Sequence, residues 1–249
     1  MLTTITFKKK RYTIDLSRPL DISMELRGNA PNVNAWYVGP PTITPHEEKG
    51  FVGAVKEGAS INFNTIAFNP HAHGTHTECV GHIAPTVFSV NEVFDRYFFK
   101  SELITIAPEK IGEDFVISKK QLQYALGNKK PEALVIRTLP NIIEKCMRQY
   151  SHTNPPYLER EAAQLLVDKG VQHLLIDLPS VDREKDDGEL IAHKTFWGFP
   201  NAIRHKATIT EFIYVPNSVK DGSYMVNMQV APFQNDASPS RPVLYKIEV

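Results

Sequence analysis

Apolar and polar positions alternate loosely near the start of the chain, and residues 3–16 predict one or two strands. From Gly28 to Pro45 the alternation gives way to proline, asparagine and glycine, the composition of a long loop, with Trp36 and Tyr37 inside it. Aromatics in such a loop either line a functional surface or pack the loop onto the core. Alternation returns in SINFNTIAF, Ser60 to Phe68, which predicts a strand running into Asn69-Pro70 and then HAHGTHTECVGH. Residues 110–129 combine a short strand with a helix-like stretch, KKQLQYALGNKK. Glu132 to Leu139, an apolar run between Pro131 and Pro140, predicts a buried strand. Leu158, Ala162, Leu165 and Leu166 sit at helical spacing, and Lys169-Gly170 is a stop signal, so Pro156 to Gly170 predicts a helix. Val171 to Pro179 then reads as a second buried strand. Strand, helix, strand in that order is a βαβ unit with parallel pairing. The run DREKDDGE reads as a solvated turn, and strands are predicted over Ala207 to Tyr214, Tyr224 to Ala231 and Pro242 to Val249.

No internal repeat and no glycine-rich spacer divides the 249 residues, so one domain over 1–249 is the expectation. The 28 basic and 28 acidic side chains cancel, which argues against a nucleic-acid or anionic-membrane partner. No apolar run approaches the roughly 18–20 residues of a membrane span. The basic N-terminus lacks the apolar stretch of a signal peptide, so a cytoplasmic protein is expected. Cys79 and Cys146 are the two cysteines, too few for a disulfide framework or a thiolate zinc site. Any metal must be held by histidine and carboxylate.

Four of the nine histidines, His71, His73, His76 and His82, fall within twelve residues, with Glu78 among them. In an extended segment alternate side chains share a face, so His76, Glu78, Val80 and His82 form one wall if the strand continues. Gly74 is placed to supply a tight turn before it. Cys79 has the opposite parity and points away. Imidazole and carboxylate together suit a first-row divalent ion; the alternative is a set of ordinary surface or core histidines. A metal site with an open position would support hydrolase or isomerase chemistry. The sequence has no phosphate loop, no G-x-S-x-G elbow and no dinucleotide fingerprint. Ser17 and Ser180 read as turn or capping residues.

The stretch Gly74-Thr75-His76-Thr77-Glu78-Cys79-Val80-Gly81-His82 resembles the motif H-x-G-T-H-x-D-x-P-x-H of the cyclase family, which includes metal-dependent kynurenine formamidases (arylformamidases) and isatin hydrolases. Glu78 replaces the motif's aspartate, Val80 its proline, and Ala72 its first histidine. His71 and His73 flank Ala72, and a one-residue bulge before Gly74 would favour His71. Further segments are similar in order: Ile14 to Leu20, Glu159 to Asp182, His193 after that turn, Glu211 in ITEFI, and Asp236 to Pro242.

The resemblance implies an α/β fold with a mixed, partly barrel-like sheet flanked by helices. It implies a hydrolase holding one or two divalent ions, zinc before manganese, on His71, His76, Glu78, His193 and Glu211. His82 would be the general acid/base and Trp36 would line the substrate pocket. The implied reaction is cleavage of an aryl formamide such as N-formylkynurenine. Hydrolysis of a cyclic amide or lactone, or binding of a small molecule without turnover, are the other readings. The implied partners are a small-molecule substrate and further copies of the chain, as a homodimer or homotetramer.

Overall fold

The computed structural model describes residues 1–7, 9–28 and 31–248. Lys8 within the predicted first strands, residues 29 and 30 of the predicted loop, and Val249 at the predicted last strand lie outside the described residues. The main-sheet strands are β1 (Leu2–Phe7), β2 (Lys10–Asp15), β3 (His76–Glu78), β4 (Phe98–Ile106), β5 (Ala133–Thr138), β6 (His173–Ile176), β7 (Thr208–Glu211), β8 (Gly222–Asn227), β9 (Ala237–Pro239) and β10 (Val243–Glu248). They run in the order β1-β2-β10-β8-β4-β5-β6-β7-β3-β9, and Leu20–Asp21 adds an eleventh strand against β10. Strands β4 to β7 are parallel, and every other pairing in the sheet is antiparallel. The sheet is mixed, as expected, and its row ends at β1 and β9 without closing.

The parallel centre follows from its residues. All six residues of β5 and all four of β6 are buried, because both faces are covered. Leu134 and Ile136 of β5 with Leu174 and Ile176 of β6 face the helices α2 (Lys119–Leu126), α3 (Arg160–Asp168) and α4 (Ile191–Trp197). Ala133, Val135 and Leu175 face the opposite layer with Phe99, Tyr224, Val226 and Leu244. Ser118 and Gln121 cap α2 reciprocally. Gly170, at φ 77, ends α3 where the sequence predicts a stop. The β5–α3–β6 crossover is parallel, with Ala133 opposite His173.

Several predicted boundaries shift: the helix expected over Pro156 to Gly170 is Arg160–Asp168, and the strands expected over Ala207 to Tyr214 and Tyr224 to Ala231 are Thr208–Glu211 and Gly222–Asn227. Of Ser60 to Phe68 only Asn64–Ala67 forms a strand, and it pairs with Thr42–Pro45, the tail of the predicted loop, in a separate ribbon. The backbone of Phe63 is instead hydrogen-bonded to Gly53 and His46. Among the described residues no helix is long and apolar enough to cross a membrane.

Candidate metal centre

Strand β3 lies between β7 and β9, with His76 opposite Glu211 and Pro239, and Glu78 opposite Ile209 and Ala237. His76 and Glu78 share a face, and the pairing sets Glu211 beside His76. The Thr75 hydroxyl pins this corner: it accepts from the Met24 amide at 2.7 Å and donates to the Phe212 carbonyl. A four-residue helix, α1 (Pro70–His73), brings His71 to the same place, and α4 brings His193.

The six polar side chains converge. His76 Nε2 is 3.4 Å from Glu211 Oε2, and His193 Nε2 is 3.1 Å from Glu78 Oε1 and 3.8 Å from Glu211 Oε1. His71 Nδ1 is 3.2 Å and His82 Nδ1 3.8 Å from Glu78 Oε2. Potential ligand atoms fall into triplets within 4.8 Å, and Glu78 belongs to two of them, one with His71 and His76, the other with His82 and His193.

Three imidazoles are each tied from behind by a group that can only accept. His76 Nδ1 donates to the Gly74 carbonyl at 3.0 Å, His193 Nδ1 to Asp182 Oδ2 at 2.6 Å, and His71 Nε2 to Asp236 Oδ2 at 2.9 Å. When the rings are neutral, these contacts place the hydrogens on the outer nitrogens and leave the inner ones facing the carboxylates. Acceptors behind the ring are the usual support of a metal-bound histidine.

Burial and close pairing shift the titration of His71, His193, Glu78 and Glu211. Burial opposes the charged ring of His71, but Asp236 and Glu78 outweigh it and push it up to about 10. His193 is likewise held well above its usual value against burial by Asp182 and Glu78. Glu78 goes the other way: burial would raise it, but His82, His193 and His71 hold it well below. Its neighbour Glu211 is raised by burial and by the Glu78 charge. Two buried carboxylates side by side repel unless a positive charge joins them. His76 Nε2 and Glu78 Oε2 are buried without a hydrogen-bond partner, a costly state that coordination would relieve. The donors, imidazole nitrogens and carboxylate oxygens without thiolate, fit a divalent ion such as zinc or manganese. Water reaches the cluster from one side, where His71, His82 and Asp236 are 22%, 30% and 25% exposed.

The family model described as "Putative cyclase" matches residues 14–183. The chain belongs to this cyclase family. A kynurenine formamidase of Bacillus cereus is 25% identical over 242 residues, covering 94% of this chain and 97% of its own. Another, of Bacillus anthracis, is 25% identical over 239 residues, covering 93% and 99%. An isatin hydrolase solved with the product analogue thioisatinate superposes with a TM-score of 0.69 at 14% identity, over 93% of each chain. A potential metal-dependent hydrolase with cyclase activity gives 0.65 at 17%, over 93% of this chain and 99% of that one.

Several local expectations for this cyclase-family chain are corrected by the structure. The wall of alternate residues ends at Glu78, because Val80–His82 form a 3-10 turn. Val80 enters the helix-side core, and the turn swings His82 back over Glu78. A Cβ on Gly81 would collide with the Phe88 carbonyl, so the turn needs glycine there. His71 is presented by the helical turn α1 and not by a bulge. Gly74 is extended, at φ 165, and makes no tight turn. His73 is directed elsewhere: its Nδ1 accepts from the Asn69 amide at 2.8 Å and its Nε2 donates to the Gly39 carbonyl at 2.8 Å. Cys79 points away from the centre, into a pocket with Val90 and Val93. Trp36 is half-buried, and its Nε1 donates to the His71 carbonyl at 3.0 Å. The solvated turn DREKDDGE is exposed in most of its length, but Asp182 at its head is buried behind His193. Sequence reasoning missed Asp182 and the contact between Asp236 and His71. The available signal for Asp182 was its place just beyond a buried parallel strand, where sites in such sheets gather.

Proposed function

We propose that this cyclase-family chain is a metal-dependent hydrolase of C–N amide bonds, arylformamidase-like, converting an aryl formamide such as N-formylkynurenine and water to the arylamine and formate. The observation that carries the reading is the convergence of three back-tied imidazoles on two buried carboxylates, with His76 Nε2 and Glu78 Oε2 left without partners. His71, His76, Glu78, His193 and Glu211 would hold one or two divalent ions, zinc first and manganese second. Bound there, the metal supplies Lewis acidity, which activates water near neutral pH and polarises the substrate carbonyl.

The chain's own residues do the rest. His82 stands at the open side, with Nδ1 3.4 Å from Asp236 Oδ2. Asp236 orients the ring and leaves Nε2 to take the proton of the attacking water and return it to the leaving nitrogen. Trp36, packed against the cluster of Met24, Tyr150 and Phe212 and bonded to the His71 carbonyl, would be the aromatic contact for an aryl substrate. The working unit is a cytoplasmic homodimer or homotetramer in this proposal, for which light scattering and cell fractionation are the measurements.

The test is hydrolysis of N-formylkynurenine, isatin and simple lactones before and after chelation. Formamide cleavage that is lost on chelation and restored by zinc or manganese supports the proposal. Preference for isatin or a lactone moves the chain to cyclic substrates, and bound metal without turnover makes it a binder. His82→Ala should keep its metal while turnover drops about 100-fold or more; loss of metal in that variant would make His82 a ligand.

A further inference from the structure

Nine non-glycine residues have left-handed backbones among the described residues; three of them, Tyr37, His152 and Asn154, meet around one carboxylate, and a fourth, Trp36, directly precedes Tyr37. That carboxylate is Glu184. Its Oε1 accepts from the Tyr37 hydroxyl at 2.6 Å and from the His152 amide, and its Oε2 from the Asn154 amide at 2.8 Å. The Tyr37 amide donates to Ser151 Oγ at 3.0 Å, and the Tyr37 ring stands 4.6 Å from that of His152. Left-handed aromatics persist only where the surroundings over-determine them.

Both ends of this clasp reach the metal centre. Trp36, the neighbour of Tyr37, donates to the carbonyl of His71. On the other side, the segment that carries Glu184 also carries Asp182, which ties His193, and Val181, whose amide donates to Glu211 Oε1 at 3.1 Å. A half-exposed loop is thereby fastened to the same short segment that supports two candidate ligands.

We propose that Glu184 is a positioning residue: through Tyr37 it sets Trp36 against the helix that carries His71, and so makes the site favour an aromatic amide over a small one. This rests on the hydrolase reading above for its substrate half. The clasp itself does not.

Two readouts on the metal-loaded full chain keep these apart. The chain has two tryptophans, and Trp197 is fully buried, so added quenching of intrinsic fluorescence by acrylamide reports Trp36. Tyr37→Phe removes one hydroxyl, Glu184→Ala removes the three bonds to the carboxylate, and Glu184→Gln keeps one acceptor oxygen. The quenching constant should rise about twofold or more in the first two, and less in Glu184→Gln, as expected for local loosening. With N-formylkynurenine, KM should rise about tenfold while kcat changes less. KM for N-methylformamide and the metal content should stay at the wild-type level.

Unchanged quenching in both Tyr37→Phe and Glu184→Ala overturns the proposal. Equal KM increases for large and small substrates, or loss of metal, also overturn it by making Glu184 a general support. If the wild type cleaves no formamide, the hydrolase reading and the substrate preference fall, and the quenching result still decides the clasp.

Discussion

Asp182 holds His193 in place through three bonds, accepting from its ring Nδ1 and from the amides of Ala192 and His193. Asp182→Asn retains the shape but removes the charge behind the imidazole, so metal affinity should fall about 10–100-fold, as such supporting contacts typically contribute. Competition against a chelating dye would measure it, and unchanged affinity would exclude a ligand role for His193. The same measurement separates the two histidines flanking Ala72. His71→Ala should lose metal, whereas His73→Ala should retain it, since both His73 nitrogens are engaged by the Asn69 amide and the Gly39 carbonyl. His71, His76, His82 and Glu78 were legible because they crowd into one short stretch, whereas His193 and Glu211 were reached only through the family resemblance. Asp182 and Asp236 were not, because the bonds that define them reach across 11 and 165 residues. A charged run in one dimension does not show which of its members the fold buries.

At the level of elements, α1 is too short to be stable by its own hydrogen bonds. Asn69 makes it: the side chain accepts from the His71 amide at 2.9 Å, the backbone amide donates to His73 Nδ1, and Pro70 starts the turn. Asn69→Ala should destabilise the metal-free protein by about 0.5–2 kcal/mol, the usual cost of a lost cap. It should also weaken metal binding, because His71 rides on the turn; a melting curve and a metal titration read the two effects. The long buried strands and α3 were legible, since proline boundaries and helical spacing mark them directly. The turn at Val80–His82 was not, because four alternating residues also describe a strand. The close approach of the Phe88 carbonyl, which leaves no room for a Cβ at Gly81, is a tertiary feature that the alternation does not carry.

Over the whole molecule, the βαβ crossover announced the parallel centre, while the insertion of β3 between β7 and β9 had no local signal, being fixed by packing between distant segments. That insertion gathers groups whose titration couples the site to global stability. In the metal-free protein His71 is raised from 6.5 to about 10, and His193 is raised as well. A raised imidazole contributes stability fully below its unfolded value of 6.5, and that contribution is lost as pH climbs through the folded one. The depressed carboxylates Glu78, Asp182 and Asp236 lose their contribution only in acid. From about pH 7 towards 10 His71 therefore sets the direction, with the raised His193 acting in the same sense, and the metal-free protein weakens as pH rises. A bound metal needs the same rings neutral, so its binding displaces their protons and strengthens over that window. Residues away from the site titrate alike in both forms and cancel in the difference. The gap between metal-loaded and chelated melting temperatures should accordingly widen from pH 7 to 9 at fixed ionic strength. A gap that stays constant or narrows would mean that metal does not compete with protons at His71 and His193, and would remove both from the ligand set.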